Sequence, residues 1–144
     1  MKKLLLVLLT FNLTFLTSVA QNDCESFRAY LFNMEYNVFL KIDFCNENII
    51  VPGEELYGQL PGYLGKKTNN YCWVITSVKV KGKTAHLTMI NDFGSEDLTA
   101  TLTMKNDTLY ILKQVEGSTL KVPKNGKWQK LPSTLPFVLR KDHR

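Results

Sequence analysis

The sequence predicts a mainly β protein, folded as a single antiparallel β-barrel or β-sandwich of about eight strands. Two observations lead to this prediction. Apolar and polar residues alternate along several runs from residue 36 onward, as they do in strands with one buried face. Short segments containing Gly, Asn and Asp separate these runs, which favours tight turns between antiparallel neighbours.

The alternation is clearest over residues 98–105, where threonines occupy most positions between the apolar ones. The apolar face of this run consists of Leu98, Ala100, Leu102 and Met104. Further strand-like runs cover 36–45, 73–80, 84–89, 108–115, 118–122 and 134–140. Lys81-Gly82 and Asn125-Gly126 suit hairpin turns because glycine tolerates a positive φ.

Two segments depart from the pattern. Residues 24–34 fit either a short N-terminal helix, with Asp23 as its N-cap, or a first strand, and the helix is the preferred interpretation. Residues 51–70 contain two prolines and four glycines among apolar and tyrosine residues. We expect a long structured loop there, with a short strand near Glu54–Leu60.

Residues 1–20 have the pattern of a secretory signal peptide. Lys2 and Lys3 precede a short apolar run, and Ser18-Val19-Ala20 provides a cleavage site. A membrane span needs about 20 apolar residues, and the apolar run is shorter and interrupted by polar residues. We therefore expect residues 21–144 to form one β-rich domain that is periplasmic or secreted, with no transmembrane segment after cleavage.

Composition excludes several classes of protein. The 144 residues are 44% hydrophobic and 22% charged, which indicates a folded single domain rather than a disordered or large multidomain chain. The net charge of +5 is modest, whereas nucleic-acid binding needs Lys and Arg clustered on one face. We expect a monomer without a nucleic-acid partner.

Three cysteines in an exported chain predict one disulfide and one free thiol. Cys45 ends one strand-like run and Cys72 begins another, so their sulfurs would meet if these runs were antiparallel neighbours. This favours a Cys45–Cys72 bridge over the two pairings that involve Cys24. No C-x-x-C motif occurs and histidines are few, so neither a metal site nor a cofactor is expected.

No motif points to a reaction. The G-x-S-x-G signature is absent, and His86 is the one plausible general base, which could act with Cys45 or Cys72. A solvated strand histidine between Thr84 and Thr88 is the simpler interpretation. We expect no catalytic residue and no enzyme.

Aromatic residues near glycines and lysines are better candidates for binding, because they present large amphipathic surfaces at low entropic cost. The candidate ligand- or partner-binding residues are Tyr57, Leu60, Tyr63, Trp73 and Trp128.

Gly126-Lys127-Trp128, a G-x-W motif, and Arg140 in the last run resemble features of the calycin group of small barrels, which includes the lipocalins. In lipocalins the G-x-W lies on the first strand and an arginine near the last strand packs across the tryptophan, whereas here the motif lies near the C-terminus. The resemblance implies a ligand-holding barrel and assigns no ligand residue.

Two functions follow as expectations. The first is an exported non-catalytic protein whose lipocalin-like barrel holds a small apolar or carbohydrate ligand. The alternative is an inhibitor or immunity-type protein that binds an exported hydrolase, with residues 51–70 as the inserting loop. A hollow interior favours the first function, and a solid core counts against it.

Overall fold

In the computed structural model, which describes residues 23–141, the chain forms a closed antiparallel β-barrel of eight strands. The strands are β1 (Arg28–Asn33), β2 (Val38–Asp43), β3 (Ile49–Ile50), β4 (Gln59–Leu60), β5 (Gly62–Lys66), β6 (Cys72–Lys81), β7 (Thr84–Asn91), β8 (Asp97–Met104), β9 (Leu109–Gly117), β10 (Lys121–Lys124), β11 (Lys127–Lys130) and β12 (Thr134–Arg140). The order around the barrel is β1-β12-β9-β8-β7-β6-β5-β2, while β3–β4 and β10–β11 form two separate pairs. The predicted mainly β, antiparallel fold is confirmed, and the barrel rather than the sandwich is observed.

The inward side chains of the barrel strands are buried. Leu98, Ala100 and Leu102 of β8 are at most 2% exposed, as their alternation predicted, and Met104 packs against the same core. The largest fully buried side chains are Trp73, Phe27, Phe137, Leu31, Leu40, Leu64, Ile75, Met89, Leu102, Leu112, Leu120 and Leu135. The interior is therefore filled by side chains, as eight-stranded barrels can be, and not left hollow.

Along strand β6, the residues that face the interior switch from odd-numbered to even-numbered positions. Trp73 and Ile75 belong to the interior cluster, but the register with β7 shifts between Ile75 and Ser77. After this bulge Val78 and Val80 pack against the interior instead. One extra residue thus reverses the alternation, which explains why apolar residues occur at both parities of this run.

The N-terminal segment, residues 24–34, is not the helix that the sequence favoured. Helical structure is limited to the 3₁₀ turn Asp23–Phe27, and the residues that follow form β1 instead of continuing a helix to residue 34. Strand β1 pairs with β2 on one side and β12 on the other, so it closes the barrel. The extended conformation is favoured because it satisfies the backbone groups of two strands that would otherwise be open edges.

The chain between β2 and β5 packs on the outside of the barrel. Strands β3 and β4 pair there, and Val51 and Leu60 form a second apolar cluster with Cys72 and Val74 of β6. The strand expected near Glu54–Leu60 is reduced to Gln59–Leu60, since Glu55–Tyr57 is a 3₁₀ turn that ends at Gly58 with a φ of 69°.

The disulfide joins Cys24 to Cys45, and the expected Cys45–Cys72 bridge is wrong. The Cα atoms of Cys24 and Cys45 are 5.1 Å apart, and Cys72 is a buried free cysteine. Strands β2 and β6 are not neighbours, because β5 lies between them. Cys45 lies two residues after the end of β2, and Cys72 is the first residue of β6, so this topology places them at opposite ends of the barrel. The 3₁₀ turn brings Cys24 beside Cys45.

The antiparallel order places four connections at the same end of the barrel, which we call the loop end: residues 34–37, 67–71, 92–96 and 118–133. The β10–β11 hairpin belongs to the last of these connections. Leu120, Val122 and Leu131, from that connection, join the interior cluster and so help to cover this end.

A disulfide is typical of a non-reducing compartment, in line with the expected export. The expected signal peptide, residues 1–20, lies outside the described residues. Within 23–141 no helix has the length and apolar character needed to cross a bilayer.

Replacing both Cys24 and Cys45 with serine should lower the free energy of unfolding by about 3 kcal/mol, because the bridge closes a long loop in the unfolded chain. Urea unfolding followed by circular dichroism measures this loss. Peptide mapping without reductant should find the 24–45 bridge intact in a Cys72→Ala control. A bridge that contains Cys72 in the unsubstituted protein would contradict the assignment.

Candidate functional site

Large apolar side chains are exposed at the loop end and on the neighbouring segment that packs outside the barrel. Phe93 is 73% exposed, Trp128 51% and Tyr57 43%, and we call these three residues the aromatic end surface. They come from three separate segments: the β7–β8 turn, β11 and the 3₁₀ turn Glu55–Tyr57. Leu56, beside Tyr57 in the chain, is fully exposed. Exposed aromatic residues from separate segments are typical of interaction sites.

Contacts connect the members of this surface. Phe93 and Trp128 both pack against Tyr71, with ring centroids 6.2 and 5.2 Å from its ring. The Tyr57 hydroxyl lies near Gly94, since a Cβ built on that glycine would be 3.7 Å from the hydroxyl oxygen. The three exposed rings are therefore parts of one surface.

Tyr71 is the buried support of this surface. It is 7% exposed, and its hydroxyl oxygen is buried. Burial is the main cause that raises the pKa of Tyr71 to about 12, with a further contribution from the charge of Glu96. The phenol is therefore neutral at physiological pH and acts as an apolar platform for the two exposed rings.

The hairpin that carries Trp128 is fixed to the barrel. The indole N–H of Trp73 donates to the Lys121 carbonyl at 2.9 Å, and the side-chain amide of Asn69 donates to the Pro123 carbonyl at 3.2 Å. The Lys121 ammonium pairs with Glu96 at 3.0 Å and lies 5.2 Å from the centre of the Trp128 ring. These contacts reduce the entropy that Trp128 would lose on binding.

The turn that carries Phe93 is organised by Asn91. The buried side-chain oxygen of Asn91 accepts hydrogen bonds from the backbone N–H groups of Ser95 and Glu96, at 2.9 and 3.2 Å. Gly94 provides the positive φ of 68° that this turn requires. The turn is thus held in a shape that leaves Phe93 in solvent.

The five predicted binding residues lie in different environments. Tyr57 and Trp128 belong to the aromatic end surface. Tyr63 is half-buried on the outer face of the barrel, with its ring centroid 5.6 Å from that of Phe39. Leu60 and Trp73 are 8% and 0% exposed, so they lie in the protein core and offer almost no surface to a partner.

Sequence analysis missed Phe93 and Tyr71. Phe93 follows the end of a strand in a segment rich in Asn, Asp, Gly and Ser, and an aromatic residue inside such a turn is the signal that could have identified it. The role of Tyr71 has no local signal, because it depends on two segments that are distant in the chain.

A second cluster combines two carboxylates with a thiol. The side chains of Glu54, Cys72 and Asp92 each offer one ligand atom, and these atoms lie within 4.8 Å of one another. A hydrogen bond with Asp92, aided by burial, raises the pKa of Glu54 to about 7. Such a set could hold a shared proton or a divalent cation. Cys24, Glu25 and Cys45 form a second group of neighbouring ligand atoms, but both of its sulfurs belong to the disulfide.

Among residues 23–141, the arrangement does not assemble a thiol–imidazole pair. Burial raises the pKa of the Cys72 thiol to about 12, so the nucleophilic thiolate is disfavoured. His86 lies opposite Lys79 near the other end of β6, about 20 Å along the strand from Cys72 at the usual rise per residue. Cys45 is engaged in the disulfide.

Comparisons of the chain with protein-family models, with curated proteins and with solved structures find no match. The similarity to lipocalins therefore rests on the eight-stranded closed barrel alone. The Arg140 guanidinium lies 5.5 Å from the centre of the Phe32 ring, and the cation over Trp128 is Lys121. The contact between the arginine and the G-x-W tryptophan that lipocalins contain is thus replaced by other pairs.

Glu54→Gln should remove the pH dependence that the Glu54–Asp92 pair introduces into the free energy of unfolding. The pKa of the Glu54 carboxyl is raised from 4.5 to about 7 in the folded protein. The stabilisation that protonated Glu54 contributes is therefore fully present below pH 4.5 and is lost as the pH rises through 7. Between pH 4.5 and pH 8, the free energy of unfolding of the variant should rise relative to that of the unsubstituted protein. After allowance for solvent screening, we expect this relative rise to be on the order of 1 kcal/mol. Urea unfolding with a chelator present measures the difference.

Glu55→Gln is the matched control. Hydrogen bonds from the backbone N–H groups of Glu55 and Gly53 lower the pKa of the Glu55 carboxyl, so this variant should show no gain at high pH. Identical pH profiles for Glu54→Gln and the unsubstituted protein would contradict the shared-proton interpretation.

Proposed function

We propose that this protein is an exported, non-catalytic binding protein of the inhibitor or immunity type, which recognises an exported protein through the aromatic end surface. The signal-peptide pattern and the Cys24–Cys45 disulfide support export to the periplasm or the medium. The observation that carries the proposal is the contrast between a filled interior and exposed aromatic rings at one end.

The filled interior argues against the function expected first, a small ligand held inside the barrel. Trp73, Leu40 and Leu112 are at most 1% exposed and occupy the volume that such a ligand would need. Admitting it would require these side chains to move out of a packed core, at a cost of several kcal/mol. The likeness to lipocalins then extends to architecture and not to the place of binding.

The aromatic end surface has the features of a protein-binding site. The large rings of Phe93 and Trp128 pack on Tyr71, and polar groups such as Lys121 and Glu96 lie nearby. Anchored aromatic side chains with a polar rim supply most of the binding energy in many protein interfaces.

The neighbouring 51–58 segment suits insertion into a cleft. Leu56 is fully exposed on the 3₁₀ turn, and the flanking Gly53 and Gly58 both have positive φ values. An apolar residue on a short constrained turn beside an aromatic surface is the form expected of an element that enters the active-site cleft of a hydrolase, which supports the inhibitor interpretation.

The proposal predicts that one exported protein is captured in near-stoichiometric amount by the immobilised chain, from an exported-protein fraction of the native organism. The double variant Phe93→Ala/Trp128→Ala should reduce this capture at least tenfold, because it removes two exposed rings from the centre of the surface. Val115→Ala, which truncates a 58% exposed residue of β9, is the matched control and should capture normally. Quantitative mass spectrometry measures the amounts.

The captured protein should be a hydrolase whose activity falls on addition of the unsubstituted chain and not of the double variant. Capture that is equal for all variants would contradict the proposed surface, and recovery of no stoichiometric partner would contradict the proposed function. Binding of a glycan that depends on Trp128, measured on a carbohydrate array, would favour a carbohydrate ligand instead.

A further inference from the structure

Lys66 is a charged residue inside the mouth of the barrel. It is the last residue of β5, pairs with Val38 of β2 and is 6% exposed. Its ammonium group donates a hydrogen bond to the Tyr36 carbonyl, in the β1–β2 turn, at 3.0 Å. The lysine therefore lies at the loop end with its stem buried and its charge directed towards the connections there.

Lys66 forms no ion pair with the part of the chain that the structure describes. None of the ion pairs within residues 23–141 involves Lys66, whereas the other buried charged residue of this range, Asp43, pairs with Arg28. An ammonium group has three N–H donors, and the Tyr36 carbonyl accepts one. A buried charge without a counter-charge is unfavourable unless a ligand supplies one.

A second cation makes this environment more positive. Burial, followed by the nearby charge of Lys124, lowers the pKa of the Lys66 ammonium. Lys124 is on β10, and its approach to Lys66 follows from the position of the β10–β11 hairpin over the loop end. Lys66 and Lys124 line the same recess, and two cations that face one recess favour an anion there.

Both lysines line an open recess between the β1–β2 turn and the β10–β11 hairpin. Its volume is about 460 Å³, and Asn37, Thr68 and Asn125 contribute polar groups to its wall. Glu35, the acidic residue of the lining, is exposed to solvent. The recess is open to solvent and larger than a single inorganic anion requires, so it has room for an anionic group attached to a larger molecule.

We propose that this recess binds an oxyanion, a carboxylate or a phosphate, with Lys66 and Lys124 as its cationic partners. The anion accepts hydrogen bonds from the free N–H donors of Lys66 and supplies the counter-charge that the fold does not. This proposal does not depend on the protein partner proposed above, because the isolated chain contains the whole site.

The test is a titration of the ¹⁵N-labelled protein at constant ionic strength, followed by the backbone amide signals and the Lys66 side-chain ammonium signal. One arm uses inorganic phosphate and acetate, which represent free anions. The other uses N-acetyl-aspartate amide and N-acetyl-phosphoserine amide, which represent acidic groups on a polypeptide. Saturable shifts confined to Lys66, Lys124 and the recess are expected, and the arm with the lower dissociation constant identifies the source.

Lys66→Met, which keeps the apolar stem and removes the charge, should weaken binding at least tenfold. The matched control is Lys83→Met, in the exposed β6–β7 turn at the opposite end of the barrel, and it should bind as the unsubstituted protein does. If Lys66→Met does not fold, Lys124→Ala should still weaken binding several-fold. Shifts that do not saturate in the unsubstituted protein, or that are equal in all folded variants, would overturn the proposal.

Discussion

The closure of the barrel around a filled core is the constraint on which the rest of the structure depends. Strand β1 pairs on both sides, with β2 and β12, so it is the last strand needed to leave no open edge in the main sheet. The 3₁₀ turn before β1 contributes Phe27, which is fully buried and stacks on Phe44 with ring centroids 5.5 Å apart. The disulfide joins this same turn to the end of β2, so closure and covalent bonding reinforce each other.

A filled interior leaves recognition to the connections. The bulge in β6 lets Trp73 and Val80 both serve the core although they have opposite parity, which increases the apolar volume inside. The chain between β2 and β5 covers part of the outer surface, and the 118–133 connection helps to cover the loop end. What remains for binding is the rim formed by these segments, where exposed rings lie on one part and uncompensated lysines on another.

Local pattern predicted six of the eight barrel strands, all but β1 and β5, and could not predict which strands are neighbours. Alternation identified β8 and β12, since each strand buries one face whatever its partner is. The order of strands depends on pairings between distant residues, and this order decides which cysteines meet. The Cys45–Cys72 expectation was wrong for that reason, because it assumed that β2 and β6 were adjacent.

For the candidate sites too, local sequence predicted some residues, and the rest depended on contacts between distant segments. Tyr57 and Trp128 were predicted because aromatic residues near glycines are often exposed, and both are exposed. Trp73 was predicted as a binding residue as well, but its side chain lies on an inward position of the barrel. The Lys66 recess and the Glu54–Asp92 pair are formed by segments that only the folded chain brings together. Neither could be predicted from alternation or from motif spacing.

The most direct test of the filled interior is the fluorescence of Trp73, the single tryptophan that remains in a Trp128→Phe variant. Its side chain is fully buried, so its emission should be shifted to short wavelength and resist quenching by acrylamide. Emission should also stay unchanged when fatty acids or other small apolar ligands are added. A saturable change in emission on adding such a ligand would show that the interior admits it, and would contradict the account.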